Sequence, residues 1–460
     1  MPQTLSTLRP QLGIRLEGSQ SYSPGDTIIG CVYRTTHAMS PNSRVSISLS
    51  GRAKSKMIVR RGNNNSSTYR GRFSLIPRTG YSQTIFEGPL HIKGDGDEAV
   101  WPFAITLPKY VDPETYSGAN QKESYLPLQN RVYDLPSTYT LRTSGSTEGF
   151  VEYFLTATLR LTGQGHHDMP EATLPFQVLT LRNDPPIADF GLRHSSNHRT
   201  VSSYRLIPGM EEMKLSFSQK MKRSFNTSGV PDFHFNLIVN IPTVLQLDNP
   251  TPISFKLQAV PDWKQTSEVI RDVPQKVKLN WLNLSIMEIT EIKCEGTFSP
   301  HTKEKDSTTS LCVMNSMNTL GTSLFIPFNE EPPLDIGELV DLRLGRSTAG
   351  FSRQLNSGRN AFTPSFTTFN IRHWHRLHWE LRGDIAGERF NVSGAVPLTI
   401  LTPSDEQGQP VQISLEGSGL ETDARAGPSV QRNESWIQPP DEEEAPPSFA
   451  QVQQEDLKAG

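Results

Sequence analysis

The sequence predicts an all-β protein, two antiparallel β-sandwich domains followed by a disordered acidic tail, and three observations carry that prediction. Apolar residues recur at every second position far more often than at helical spacing, the mark of half-buried strands. No window sustains an i, i+3, i+4, i+7 apolar stripe, and 35 prolines scattered through the chain interrupt long helices, so one or two short helical turns are expected at most. Charge is uneven: Pro403 to Gly460 carries twelve Asp or Glu against three Lys or Arg, whereas the first 402 residues carry 42 basic and 36 acidic side chains. A chain of 460 residues has room for two sandwiches of roughly 200 residues each.

Taken in order, Val45, Ile47 and Leu49 share one face of a strand, with Ser46, Ser48 and Ser50 on the other. From Val151 to Leu161 the odd positions face a core, while Glu, Thr and Arg dominate the even ones. Phe233, Phe235, Leu237 and Val239 repeat the pattern, as do Ile253, Phe255 and Leu257, then Leu282, Leu284 and Ile286, then Val396, Leu398 and Ile400. Turn signals separate these runs: Ser23-Pro24-Gly25-Asp26, Pro41-Asn42, Gly94-Asp95-Gly96-Asp97, Asn226 to Pro231, and Asn249-Pro250. The polar, doubly prolyl segment Arg182-Asn183-Asp184-Pro185-Pro186 suits a linker. The domains are therefore read as 12–181, 200–402 and a tail over 403–460, where too little apolar surface remains to fold. Asp112 to Ser146, rich in Pro, Ser, Thr and Tyr, reads as a long exposed loop.

Several function classes are argued against. Cys31, Cys294 and Cys312 are odd in number and widely spaced, which fits neither a disulfide framework nor a cysteine zinc site and points to a reducing compartment. Met1 to Gly13 has Pro2 and Pro10 and no apolar core of a signal peptide. No stretch approaches the roughly 18 apolar residues of a membrane span, so a cytoplasmic location is expected. The body is only mildly basic, which argues against nucleic acid as a partner. There is no Gly-x-Ser-x-Gly elbow, Walker loop, dinucleotide fingerprint or His-Glu-x-x-His, so neither enzymatic activity nor a cofactor is expected. His373 and His375 would share a strand face, but His378 falls on the other; lacking a third ligand, the pair reads as ordinary strand histidines and no metal is expected. His166-His167-Asp168 reads as an exposed turn. Asp95 and Asp97 lack the Gly and Glu of a calcium loop and read as a hairpin tip.

Ile14-Arg15-Leu16-Glu17-Gly18, then Tyr22 to Gly30 with its Ser-Pro-Gly-Asp turn, then Val45 to Lys54 resemble the start of an α-arrestin N-domain: a strand, a tight turn, a strand relieved at Gly30, and a third ending at Gly51. Leu90-His91-Ile92, Trp101-Pro102-Phe103-Ala104-Ile105 and the strand from Val151 follow in the family's order, and Phe233 to Pro242 and Pro364 to Leu381 resemble its C-domain. The resemblance spans about residues 12–402 and is closest to the arrestin-like proteins of filamentous fungi. It implies immunoglobulin-like, arrestin-type sandwiches in a non-enzymatic adaptor. Such a protein binds cytosolic segments of membrane transporters or receptors and recruits a HECT-type ubiquitin ligase through WW domains, so that the cargo is ubiquitylated and internalised, and it is cytoplasmic with peripheral recruitment to the plasma membrane or endosomes.

Three segments are candidate sites. Arg52, Lys54 and Lys56 alternate along one strand with Arg60 and Arg61 behind them; they read either as a contact for anionic lipids or acidic partners or as a solvated strand face. Leu107-Pro108-Lys109-Tyr110 has a permissive WW-ligand form, yet it follows an apolar strand that would bury it. Pro446-Pro447-Ser448-Phe449 lies in the tail with Phe449 where the family's motif has Tyr, a degenerate WW ligand. The missing phenol keeps a second reading open, a signalling scaffold that recruits no ligase. An enzyme whose site assembles only in the fold is the third.

Overall fold

The alternating runs fold as strands and their apolar positions turn inward. Val45, Ile47, Leu49, Val151, Tyr153, Leu155, Phe233, Phe235, Leu237 and Val239 are all fully buried. The computed structural model describes residues 4–7, 12–18, 21–61, 65–77, 80–94, 96–116, 119–129, 131–142, 146–162, 169–211, 229–296, 299–345, 349–350 and 362–407. It is mostly strand, in two β-rich domains. Asp95, His166 to Asp168, and Pro446, Pro447 and Phe449, each singled out in the sequence, fall outside the described residues.

The first domain packs a three-stranded sheet (Gly13–Leu16, Thr27–Arg34, Ala99–Thr106) against a seven-stranded one. The larger sheet runs Ser21–Tyr22, Glu171–Val178, Thr147–Thr162, Ala38–Arg61 and Asn65–Ile76, with Ser82–Ile92 and Tyr139–Arg142 paired at its sides. The second repeats the plan with four strands (Arg193–Ser202, Asp232–Ile241, Lys256–Pro261, Leu334–Asp335) and seven. Those seven run Val244–Gln246, Glu388–Leu401, Ile371–Ile385, Val277–Cys294 and His301–Ser310, with Leu324–Ile326 and Phe366–Thr367 alongside. Pairing is antiparallel except where the short strand Ser21–Tyr22 or Val244–Gln246 lies parallel to the last long strand of its own domain.

Several local expectations are corrected. Pro41-Asn42 is not a turn: Ala38–Arg61 runs through it, well past Gly51, and the ladder shifts at Ser40/Ser43 opposite Gly88, a bulge that accommodates the proline's missing N–H. The segment around Asp97 is no hairpin tip, because Ser82–Ile92 and Ala99–Thr106 pair in different sheets. The stretch after Asp112 is anchored rather than exposed: Tyr116, Leu135 and Tyr139 are buried, and two 3-10 turns are capped by Asp112 and Asn120. Among the described residues, short α-helices at Val313–Thr319 and Ile336–Leu339 add to five 3-10 turns, more helix than expected. The second domain begins with the strand from Arg193, earlier than residue 200. Pro403 to Asp405 is ordered, not tail-like: the Arg182 amide donates to the Pro403 carbonyl at 2.9 Å and Ser404 Oγ to the Asp184 carbonyl at 2.7 Å, clasping the linker.

Each domain has its own core, but the core of the first also contains Ile292, Cys294, Phe369 and Ile371 from the second. Phe369 stacks on Phe73 with ring centroids 5.0 Å apart and meets Tyr116 at 5.1 Å and Tyr133 at 5.7 Å. Gly71 permits the close approach behind this contact. A Cβ there would lie 2.5 Å from Ser55 Oγ and 2.8 Å from the Lys293 carbonyl oxygen.

Candidate functional site

On its outer face the large sheet of the first domain carries a cross-strand array of charge. Lys54 lies opposite Arg72, Lys56 opposite Arg70, and on the other side Arg52 opposite Glu152 and Lys56 opposite Glu148. Period-two geometry puts all of these on one face. Five cations thus meet two carboxylates.

Arg52, Lys54 and Lys56 share one strand face, as their alternation implies, but they are not the open cations that a lipid or acidic-partner contact or a solvated face requires. Arg52 is ion-paired to the buried Glu152, also bonds Thr4 Oγ1 at 2.7 Å, and lies over the Phe154 ring. Lys54 is only 6% exposed, its ammonium 5.8 Å from the Phe150 ring centroid; burial, with Arg52 as second cause, lowers its pKa to about 8. Lys56 is half-buried, 3.5 Å from Glu148. Arg60 is exposed, and the side chain of Arg61 lies outside the described residues. The outward cations are instead Arg70 and Arg72, both exposed and neither ion-paired among the described residues. Sequence reasoning missed them because it followed one strand and could not see its neighbour.

Leu107 is fully buried, and its backbone bonds Asp26 and Gly25 at 2.8 and 2.9 Å. Lys109 is held by Leu135 at 3.2 Å. The segment is therefore not available as an extended WW ligand, although Tyr110 is exposed. It opens on a groove of about 890 Å³ lined also by Asp26, Asp134, Arg182 and Thr402.

A second arrangement lies where the two cores meet. Along the inward face of Val277–Cys294 the order is Leu282, Leu284 and Ile286 in the second core, then Glu288 and Thr290, then Ile292 and Cys294 in the first core. The partner strand mirrors it, with Trp379 and Leu377, then His375 and His373, then Ile371. Glu288 pairs across with His375, and Thr290 with His373. The seam between the cores is thus two cross-strand polar pairs. His373 Nδ1 bonds Thr290 Oγ1 at 2.8 Å, and that hydroxyl bonds Tyr139 Oη of the first domain at 2.6 Å. His375 Nδ1 bonds Ser365 Oγ at 2.9 Å.

The Nε2 atoms of both histidines are buried with no hydrogen-bond partner among the described residues, each 3.9 Å from Glu288 Oε1. Burial lowers His373 to about 4 and His375 to about 3 and raises the Glu288 carboxyl; the imidazoles are neutral near pH 7. Glu288, His373 and His375 are the group able to hold a metal ion among the described residues. The sequence showed the two histidines on one face, but the third residue comes from another strand. His378 faces away, as expected.

No protein-family model matches this chain, and no curated protein matches it. Among the described residues no helix is long and apolar enough to cross a membrane.

Proposed function

We propose that the chain is a non-enzymatic, arrestin-like adaptor linking cytosolic segments of plasma-membrane transporters or receptors to ubiquitin-ligase-dependent endocytosis and trafficking. Two sandwiches alone do not license a function; the observation that carries this reading is the basic array, above all Arg70 and Arg72. Successive outward side chains on a strand stand about 6.6 Å apart, the repeat of an extended peptide carrying acidic or phosphorylated residues at alternate positions. Arginine forks suit both carboxylate and phosphate. The ligase would be reached through Pro446, Pro447 and Phe449 of the tail. Losing the phenol hydroxyl removes a hydrogen bond of about 0.5–1.5 kcal/mol, roughly three- to tenfold in affinity.

The test is a titration of the full chain with a peptide bearing phosphoserines at alternate positions, beside its unphosphorylated form. Changing Arg70 and Arg72 together to Glu should weaken binding at least tenfold without unfolding, and wild-type binding should fall as salt screens it. Equal binding of both peptides, or salt-independent binding, returns the array to a solvated face. In the same preparation Phe449→Tyr should strengthen and Pro447→Ala weaken capture of WW domains. Equal capture by all three chains would favour the scaffold without a ligase.

A further inference from the structure

We propose that Glu288, His373 and His375 form a binding site for a divalent transition ion of the zinc class, placed at the seam between the two cores. The proposal is independent of the adaptor reading.

Three observations converge on it. The ligand atoms lie within 4.8 Å of one another, with both Nε2 atoms 3.9 Å from Glu288 Oε1. A tetrahedral ion with bonds of about 2.0–2.1 Å holds its ligands about 3.3 Å apart, so each Nε2–Oε1 pair closes by roughly half an ångström and the widest separation in the trio by as much as about 1.5 Å, a contraction that moves the imidazoles as well as Glu288. The two imidazoles are buried, and their Nε2 atoms have no hydrogen-bond partner among the described residues. If Nδ1 donates to the hydroxyl beside it, Nε2 presents a lone pair toward the carboxylate; if Nδ1 accepts, the Nε2 proton is too far from Glu288 to be bonded. A cation satisfies both lone pairs at once. Finally, each Nδ1 is already oriented by a hydroxyl, Thr290 for His373 and Ser365 for His375, the outer contact that metal-bound histidines characteristically make.

The ligand chemistry narrows the ion. Two imidazoles and one carboxylate favour zinc or a similar borderline cation over calcium or magnesium, which take oxygen shells. Cys294 is no ligand, since its thiol bonds Ser55 Oγ inside the first core. Because Thr290 also bonds Tyr139, an ion here would brace the second domain's strands against the first domain.

The competing account is a pair of neutral core histidines packed edge to face, with ring centroids 4.7 Å apart at 87°. The two are separated by titrating the tag-free full chain, stripped with chelator, with Zn²⁺ by calorimetry and with Co²⁺ by visible absorption. The expected result is one equivalent bound, the visible bands of a low-coordinate nitrogen and oxygen site, and a raised thermal midpoint. Glu288→Gln keeps shape and should weaken affinity at least tenfold, His375→Gln should abolish binding, and His378→Gln should change nothing. A folded wild-type chain that binds neither ion overturns the proposal whatever the variants do. So does binding that survives in folded Glu288→Gln and His375→Gln chains.

Discussion

Two arginines eighteen residues apart in the first domain, Arg52 and Arg70, carry the same charge and do different work. Arg52 neutralises Glu152, which is 3% exposed, so Arg52→Met should destabilise the fold by about 3 kcal/mol through the unpaired buried charge left behind. Arg70→Met, on an exposed side chain, should fall within about 0.5 kcal/mol of wild type; chemical denaturation of both variants checks the contrast. Lys54 gives a pH signature. Its folded pKa is lowered to about 8 against about 10.4 in an unfolded chain. Between those values the unfolded state binds more protons, so stability rises with pH. Lys54→Met should abolish that rise, seen as a flat thermal midpoint from about pH 8 to 10 where the wild type climbs. At this scale the sequence disclosed the alternation of Arg52, Lys54 and Lys56 but not their burial. Burial is decided by Phe150 and Glu152, which lie about a hundred residues away in the chain and directly opposite in the sheet.

The strands were the most legible elements, because period two is written in each run without reference to any other. Their ends were less so. Pro41 looked like a turn because proline usually cannot continue a ladder, and Gly88 on the partner strand is what lets it. The seam had a local trace as well. On Val277–Cys294 the inward series Leu282, Leu284, Ile286 turns polar at Glu288 and Thr290 and apolar again at Ile292, the trace of a strand leaving one core and entering another. The close approach it serves rests on Gly71. Gly71→Ala would press a methyl onto Ser55 Oγ, which is itself bonded to the Lys293 carbonyl and Asn370 Nδ2. The expected cost is about 1–3 kcal/mol, measured by urea unfolding, whereas Gly209→Ala, with open space around it, should cost only what its positive φ imposes.

Residues 1–409 form one compact unit, although the sequence divides them at the linker. The division is real for the backbone, since each domain has its own pair of sheets, and incomplete for the cores, since strands of the second floor the first. Phe369→Ala should therefore destabilise the first domain by about 3–5 kcal/mol and split a single unfolding transition into two, resolvable by calorimetry or by amide exchange on Val151 to Leu159. A single transition at the wild-type midpoint would contradict this. The shared floor also has a consequence for how the protein comes into being on the ribosome. Val178, the end of the first domain's last strand, is made long before Phe369 and Ile371, and at about 5–20 residues per second that interval is roughly ten to forty seconds. Throughout it the nascent first domain holds Phe73, Tyr116 and Tyr133 without the Phe369 ring that packs on all three in the folded chain, so this part of its core closes only when the second half has been made.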